Sequence, residues 1–256
     1  MSSPHQVICM KWGTLYGPEY VNRLYAMVRR HITGDLRFVC LTDDAVGVRK
    51  EVECLPCPTI DVRAPLNNTP WRKVALYAES EQLFGLQGNW LFLDLDVVVT
   101  GSLDALFEYK PDSPFIVMQN WTQPGQGIGN TSAYRFTVGA DSYILDNLAP
   151  RFEEIFKKYI IEQIYVSREI KQIDFWPDEW CILFKVQCVP MWPLRFWKTP
   201  ELPATARVVG FPGDPGPQDA ADGRWPVRSG WKRLYKYTRP VPWVTDLWVN
   251  AEEHIK

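Results

Sequence analysis

The chain has 256 residues, a length that suits one large domain with a substantial hydrophobic core. Its 28 Lys and Arg against 30 Asp and Glu leave a net charge of −2, which excludes nucleic-acid binding through bulk basicity and gives no sign of an acidic, disordered chain. No signal-peptide pattern is visible, and no run approaches the roughly 18 apolar residues of a membrane span, so we expect a soluble, cytoplasmic protein.

The first part of the chain alternates between strand and helix patterns. Pro18 suits the first turn of a helix that ends at Gly34, and Thr69 with Pro70 predicts a second helix that runs to about Phe84. This alternation favours parallel βαβ units. Strands are predicted at residues 7–10, 36–41, 52–55, 89–93, 97–100 and 115–118, with a short helix at 103–107.

The pattern becomes less regular after residue 120, where Trp and Pro are frequent. The expected fold class is α/β, with a Rossmann-type sheet, helices on both faces and an irregular Trp- and Pro-rich C-terminal part, in one domain spanning residues 1–256. The elements predicted in the second half are a glycine-rich loop at 123–130, a strand at 133–138, a helix over 142–166 that breaks near Pro150, and a strand at 207–211.

Two carboxylates, Asp94 and Asp96, directly follow the uncharged strand at 89–93. In an open α/β sheet, ligands bind beyond the carboxyl ends of the strands. Side chains two residues apart in an extended chain point to the same side, so both carboxylates are expected to face one ligand. Paired hard oxygen ligands suit Mg²⁺ or Mn²⁺ bound to a phosphate-bearing substrate.

The same pair permits a second interpretation. Asp94, Asp96 and Val98 match the DxDx[TV] pattern of haloacid-dehalogenase-type phosphatases, in which the first Asp is a nucleophile and the second a general acid and base. Asp214 and Asp219 are similar to the late acidic motif of such enzymes. Against this interpretation, the pattern normally opens its domain, whereas here three predicted strands precede it.

The six cysteines offer a further alternative. Cys54 and Cys57 have the spacing of a zinc-ligand pair, which Cys181 and Cys188 would complete, although the second spacing does not fit a zinc ribbon or knuckle. Reduced cysteines are the expectation for a cytoplasmic protein.

Several segments of the chain share an order with those of a known enzyme family. They are the DxD motif within 90–96 and residues 11–17, 22–25, 40–44, 71–73, 130–132 and 162–163. Taken together, they resemble the segments of GT-A glycosyltransferases, notably the family 8-like transferases. The resemblance implies a GT-A-like fold and metal-dependent transfer of a sugar from a nucleotide-diphospho-sugar, UDP-linked, to a bacterial glycan or glycolipid. It also implies a nucleotide-sugar-binding half at 1–120 and an acceptor-binding half at 121–256.

The resemblance implies roles for individual residues of the donor site. Trp12 or Tyr16 is expected near the base or ribose, and residues 42–44 are expected to contact the uracil or ribose. Of the two early helix cations, we favour Lys73 over Arg72 as the one that faces the diphosphate. The implied donor-binding set is Trp12, Gly13, Thr14, Tyr16, Thr42, Asp43, Asp44, Arg72, Leu95, Asn130 and Thr131.

One segment departs from the family pattern. Family 8-like enzymes supply a third metal ligand from a late His, but residues 210–217 contain no His and no Lys. Either Asp214 substitutes as an oxygen ligand, or water and diphosphate complete the shell, as Mg²⁺ permits. The departure also leaves open a catalytically inactive protein that binds a sugar nucleotide.

The second half contains acidic and amide side chains among tryptophans, a mixture suited to sugar rings. Asp178 is our candidate for a base that activates the acceptor hydroxyl. Residues 224–239 combine cations with aromatic rings and lack acids, so we hypothesise contact with an anionic membrane surface or a lipid-linked acceptor, on the cytoplasmic face. The acceptor-side candidates are Gln163, Trp176, Asp178, Glu179 and Trp180.

Overall fold

The computed structural model describes residues 4–64, 66–227 and 230–255. Its strands are β1 His5–Lys11, β2 Leu36–Thr42, β3 Glu53–Pro56, β4 Asn89–Leu93, β5 Val97–Val99, β6 Phe115–Gln119, β7 Gly129–Thr137, β8 Asp174–Phe175, β9 Cys181–Leu183 and β10 Val208–Gly210. The α-helices are α1 Pro18–Arg30, α2 Asp104–Glu108, α3 Tyr143–Asp146, α4 Phe152–Tyr159, α5 Glu162–Glu169, α6 Pro217–Ala221 and α7 Pro242–Val244. Tighter 3₁₀ turns include Leu66–Asn68, Pro70–Tyr77, Leu194–Phe196, Gly230–Leu234 and Ala251–His254, and Phe184–Cys188 and Thr245–Val249 are π-helical.

Seven strands form the main sheet, in the order β3-β2-β1-β4-β7-β6-β8. The neighbours β1, β2, β3 and β4 pair in parallel, which confirms the expected βαβ arrangement, and β7 runs antiparallel to both β4 and β6. A smaller sheet has the order β5-β10-β9, with β10 parallel to β9 and antiparallel to β5. The chain therefore passes from the main sheet to the small sheet between β4 and β5.

Both faces of the main sheet are covered, as the uncharged β4 sequence indicates. Leu91 and Leu93 pack into one hydrophobic core with α1 and the small sheet. Trp90 and Phe92, which point to the other face, pack into a second core with the 3₁₀ helix Pro70–Tyr77 and helices α4 and α5. The predicted α/β class with helices on both faces is confirmed, and alternation along one strand supplies both cores.

The structure corrects two predicted helices. The helix expected from Pro70 to Phe84 is a 3₁₀ helix that ends at Tyr77, because Ala78 is extended and Phe84 and Gly85 have positive φ values of 58° and 80°. The helix expected over 142–166 is three pieces, α3, α4 and α5. The break near Pro150 is confirmed, and a second break lies at Ile160, where φ is 58°.

The strand pattern of the second half also differs from expectation. Strand β7 begins at Gly129, inside the predicted glycine-rich loop. Strands β8 and β9 are not predicted by the sequence because they have only two and three residues, too few for a periodic pattern. No helix in the described ranges is both long and apolar enough to cross a membrane.

The zinc alternative is wrong. Cys54 lies on the edge strand β3, whereas Cys181 and Cys188 are buried beside the small sheet. Within the part of the chain that the structure describes, no three His, Cys, Asp or Glu side chains are grouped to hold a metal. All six cysteines are free.

One buried arginine joins β7 to the end of α2. The Arg135 guanidinium donates to the carbonyls of Leu106, Phe107, Tyr109 and Lys110 at 2.6–3.0 Å. These are carbonyls that a helix end leaves without partners inside the helix.

Replacing Arg135 with Met is expected to lower the free energy of unfolding by about 2–3 kcal/mol, because the Phe107 and Tyr109 carbonyls lose their donor, whereas those of Leu106 and Lys110 keep one from Trp176 and Ser113. Urea denaturation measures the change. The control is Arg151→Met, which removes an exposed ion pair to Glu154 and should change stability by about 0.5 kcal/mol or less. Equal effects of the two substitutions would contradict the role assigned to Arg135.

Candidate active site

A cleft of about 650 Å³ lies where the loop after β1 faces the end of β4. This is where ligands bind in open α/β sheets, beyond the carboxyl ends of parallel strands. The sequence-predicted residues that line it are Trp12, Gly13, Thr14, Tyr16, Asp43, Lys73, Asp94, Leu95 and Asp96, joined by Met10, Leu15, Asn68 and Pro70.

Asp94 and Asp96 lie in the connection between the two sheets. The Asp94 N–H donates to the Ser132 carbonyl at 2.8 Å, and the Val97 N–H donates to the Asp94 carbonyl at 3.4 Å. The segment is thus a turn and not the extended chain that we expected, although both carboxylates line the cleft. The turn directs the chain from β4 into β5, which places the pair at the junction of the sheets.

Lys73 is buried and holds Asp94 in place. Its Nζ lies 3.2 Å from Asp94 Oδ2, 3.6 Å from Glu162 Oε1 and 3.1 Å from both the carbonyl and the hydroxyl oxygen of Thr131. The Thr131 hydroxyl in turn donates to Glu162 at 2.8 Å. Burial by itself lowers the pKa of Lys73, but the carboxylates of Asp94 and Glu162 outweigh it and hold the pKa above its ordinary value.

Asp96 carries the less well compensated charge. Burial first, and the neighbouring Asp94 carboxylate second, raise its pKa to about 7, against the opposing effect of a hydrogen bond from Tyr16. The Tyr16 hydroxyl donates to Asp96 Oδ2 at 3.0 Å. The cleft therefore concentrates negative charge that its own cations do not offset.

The loop after β1 is fixed to the turn after β2. The Gly13 N–H donates to Asp43 Oδ2 at 2.8 Å, and the Gly13 φ of 63° is one that glycine adopts without strain. The Trp12 indole donates to the Asn68 carbonyl at 3.2 Å. These bonds shape one wall of the cleft from three separate segments.

Thr42 and Asp44 support this wall and do not line the cleft. The Thr42 hydroxyl donates to the Asp44 carbonyl at 2.9 Å and accepts the Asp44 N–H at 3.1 Å. The Asp44 carboxylate accepts the Val46 N–H at 2.9 Å. Of the three residues at 42–44, only Asp43 lines the cleft.

Other predicted donor-side residues are close to the cleft but turned away from it. Arg72 points toward Asn68, with 3.4 Å between its guanidinium and the amide oxygen, and lines a separate depression with Thr42 and Asp43. Asn130 is buried, and its side chain accepts the Ser132 N–H at 2.9 Å. Glu162, which precedes the predicted Gln163, is the residue that contacts Lys73. The sequence did not predict a role for Glu162.

The acceptor-side candidates are not brought to the cleft. Trp176 is buried in the core, where its indole donates to the Leu106 carbonyl at 3.2 Å. Trp180 lies under the Arg207 guanidinium, 4.5 Å from the ring centre, and its carbonyl accepts the Arg207 N–H. Arg207 pairs with Thr100, four residues beyond Asp96, so this end of the small sheet is roughly 13 Å from the carboxylate pair.

Asp178 and Glu179 are exposed in the turn that precedes Trp180. Asp178 does not line the cleft, because its turn leads into the far end of the small sheet, and its role as the base stays a prediction. Sequence order alone could not reveal this, since the direction of the short strand β9 decides it.

Asp214 does not complete a metal site. It is exposed, and within the described ranges no third His, Cys, Asp or Glu joins Asp94 and Asp96 in a metal-holding group. The late acidic pair that a phosphatase requires is also missing from the cleft, since Asp219 is paired with Arg224 at 3.1 Å.

Lys185 is the residue that sequence reasoning missed. Because β10 runs parallel to β9 and antiparallel to β5, the start of β5 and the ends of β9 and β10 share one edge. Asp96 directly precedes β5, whereas Lys185 and Pro212 lie two residues after the ends of β9 and β10. The Lys185 Nζ donates to the carbonyls of Pro212 and, at 3.1 Å, of Asp214.

Lys185 and Asp96 lie at the same edge of the small sheet. Burial, and then Lys236, lower its pKa, whereas Asp214 and Asp96 act in the opposite direction. The available sequence signal is that Lys185 is the only charged residue in the run 181–189.

No protein-family model and no curated protein sequence matches the chain. Solved structures do. A structure of the galactosyltransferase LgtC in complex with donor and acceptor sugar analogs is similar with a TM-score of 0.56 and 13% identity, over 83% of this chain and 88% of that one. The glycosyltransferase GlyE of Streptococcus pneumoniae TIGR4 gives 0.55 and 14%, over 83% and 56%. The bifunctional glycosyltransferase WbbM gives 0.54 and 12%, over 85% and 47%. The chain therefore has the fold of the GT-A-type glycosyltransferases.

Proposed function

We propose that this protein is a glycosyltransferase that moves a sugar from a nucleotide-diphospho-sugar, UDP-linked, to a bacterial glycan or glycolipid acceptor. The observation that carries the proposal is the Asp94 and Asp96 pair, which lies between the loop after β1 and the small sheet in a cleft of about 650 Å³. The fold supports it, because one structure of similar fold contains donor and acceptor sugar analogs.

The carboxylate pair suits Mn²⁺ or Mg²⁺ that the donor diphosphate shares. The fit rests on the chemistry of the two carboxylates. Burial and the neighbouring Asp94 raise the pKa of Asp96 to about 7, and a divalent cation would offset the negative charge that the two groups share. Mg²⁺ needs only one or two protein carboxylates when phosphates and water complete its shell. When bound, such an ion neutralises charge on the departing nucleoside diphosphate.

The other cleft residues have complementary roles in this proposal. Lys73 orients Asp94 and offsets its charge, and Tyr16 orients Asp96. Trp12 and Asp43 contact the nucleoside, the ring by stacking and the carboxylate by accepting ribose hydroxyls. Lys185 approaches from the small sheet and meets the phosphate charge that develops as the sugar leaves.

The test is thermal unfolding of the protein with UDP, with Mn²⁺ and with both. We expect a rise in Tm that requires both ligands, since only the folded cleft binds them. Asp96→Ala should lose the Mn²⁺-dependent part. The matched control is Asp178→Asn, in an exposed turn outside the cleft, which should keep the full shift.

Turnover separates the remaining alternatives. Release of UDP from a panel of UDP-sugars in the presence of Mn²⁺ is the expected result. Stabilisation by UDP and Mn²⁺ with no release or transfer from any donor would replace the transferase by an inactive binding protein. No stabilisation, combined with hydrolysis of p-nitrophenyl phosphate, would overturn the proposal in favour of a phosphatase.

A further inference from the structure

Two segments of the second half expose large apolar side chains side by side. Met191, Trp197 and Leu234 are 78%, 70% and 73% exposed. Most large hydrophobic residues that are exposed in the described ranges belong to these segments, which we call the aromatic surface. Its members are Met191, Trp192, Leu194, Trp197, Trp231, Leu234, Tyr235 and Tyr237.

The aromatic surface is held together by specific contacts. The Trp192 indole donates to the Leu234 carbonyl at 3.1 Å, and the Arg195 guanidinium donates to the Tyr235 carbonyl at 2.9 Å. The rings of Phe196 and Tyr237 stack with 5.0 Å between their centres. The exposed rings are therefore presented by a folded unit made of both segments.

The charge around these rings has one sign. Residues 190–200 and 230–239 contain six Lys and Arg and no Asp or Glu, although the whole chain has a net charge of −2. Cations and aromatic rings alternate here, as in Trp231-Lys232, where the ammonium lies 5.9 Å from the ring centre. An apolar surface surrounded by cations is complementary to anionic headgroups above an acyl interior.

We propose that the aromatic surface docks this protein on membranes that contain anionic lipid. Trp and Tyr rings favour the headgroup boundary, and lysines contact the anionic surface. The aromatic surface begins six residues after Lys185, in the chain that leaves the edge of the small sheet at which Lys185 and Asp96 lie. Docking would thus bring the cleft to lipid-linked molecules, but it does not depend on the proposed transfer reaction.

The test is sedimentation with vesicles of phosphatidylcholine alone and of equal parts phosphatidylcholine and phosphatidylglycerol. We expect binding to the anionic vesicles that weakens as salt is added. The Trp197→Ser and Trp231→Ser double variant should bind about tenfold or more weakly, since two exposed rings no longer enter the headgroup region. The Lys198→Gln and Lys232→Gln double variant should lose about fivefold for each cation removed.

The matched control replaces Val46 and Ile160 by Ser. Both are exposed, at 80% and 69%, and lie outside the aromatic surface, so binding should be unchanged. Absence of sedimentation with anionic vesicles would overturn the proposal. So would self-association in analytical ultracentrifugation that the tryptophan variant abolishes, without vesicle binding, because the surface would then join two copies of the chain. Vesicle binding needs no sugar donor, so its failure is distinct from failure of the proposed function.

Discussion

Replacing Lys73 with Met is expected to lower the free energy of unfolding by about 3 kcal/mol, because it leaves the buried Glu162 and the partly exposed Asp94 without their cation. Glu162 is 4% exposed and, within residues 4–64, 66–227 and 230–255, keeps only the Thr131 hydroxyl as a hydrogen-bond donor. Asp94 loses the ammonium 3.2 Å away. Urea denaturation followed by circular dichroism measures the loss.

The control for this prediction is Lys158→Met. Lys158 is also paired with a carboxylate, Glu169, but both side chains are exposed, so the expected cost is about 0–1 kcal/mol. Adding Glu162→Gln to Lys73→Met should restore part of the stability, since the second unpaired charge is removed. A loss below about 1 kcal/mol for Lys73→Met would show that water replaces the ammonium and that Lys73 does not support the cleft.

Strands β1, β2 and β4 could be predicted because each contains a run of four consecutive apolar residues. In β4, Leu91 and Phe92 face opposite cores, so all four residues from Trp90 to Leu93 are apolar and the Asp after them marks the strand end. Asp94 and Asp96 could be predicted for the same reason, since they follow directly from the end of β4, whereas the cleft residues at 12–16 were expected from the family resemblance.

The residues that join distant segments could not be predicted in this way. Glu162 reaches Lys73 only because α5 packs against the 3₁₀ helix Pro70–Tyr77, and the break at Ile160 sets the direction of α5. Asp178 and Lys185 lie on either side of the same short strand, β9. The sequence shows both charges, but the direction of the three residues of β9 decides that Lys185 lies at the same end of the small sheet as Asp96 and Asp178 at the other end.

Replacing Lys185 with Met is expected to lower the rate of UDP release from the preferred donor by about 10²–10³-fold, the effect of removing one group that meets charge developing in a transition state. In the proposed function, Lys185 is the cation that approaches the leaving diphosphate from the small sheet. Its two carbonyl partners, from Pro212 and Asp214, fix the ammonium without neutralising it. Its charge therefore remains available to a phosphate.

Two measurements distinguish this role from a structural one. The main effect should fall on kcat, with a smaller rise in KM, because the charge on the diphosphate grows as the bond to the sugar breaks. Lys185→Arg should recover part of the rate, since it keeps the positive charge. Lys157→Met, at an exposed position on α4, should leave the rate unchanged. Full turnover of Lys185→Met combined with a loss of stability would contradict this role. Lys185 would then only tie the loop after β10 to the small sheet, and Lys73 and the metal alone would offset the charge of the diphosphate.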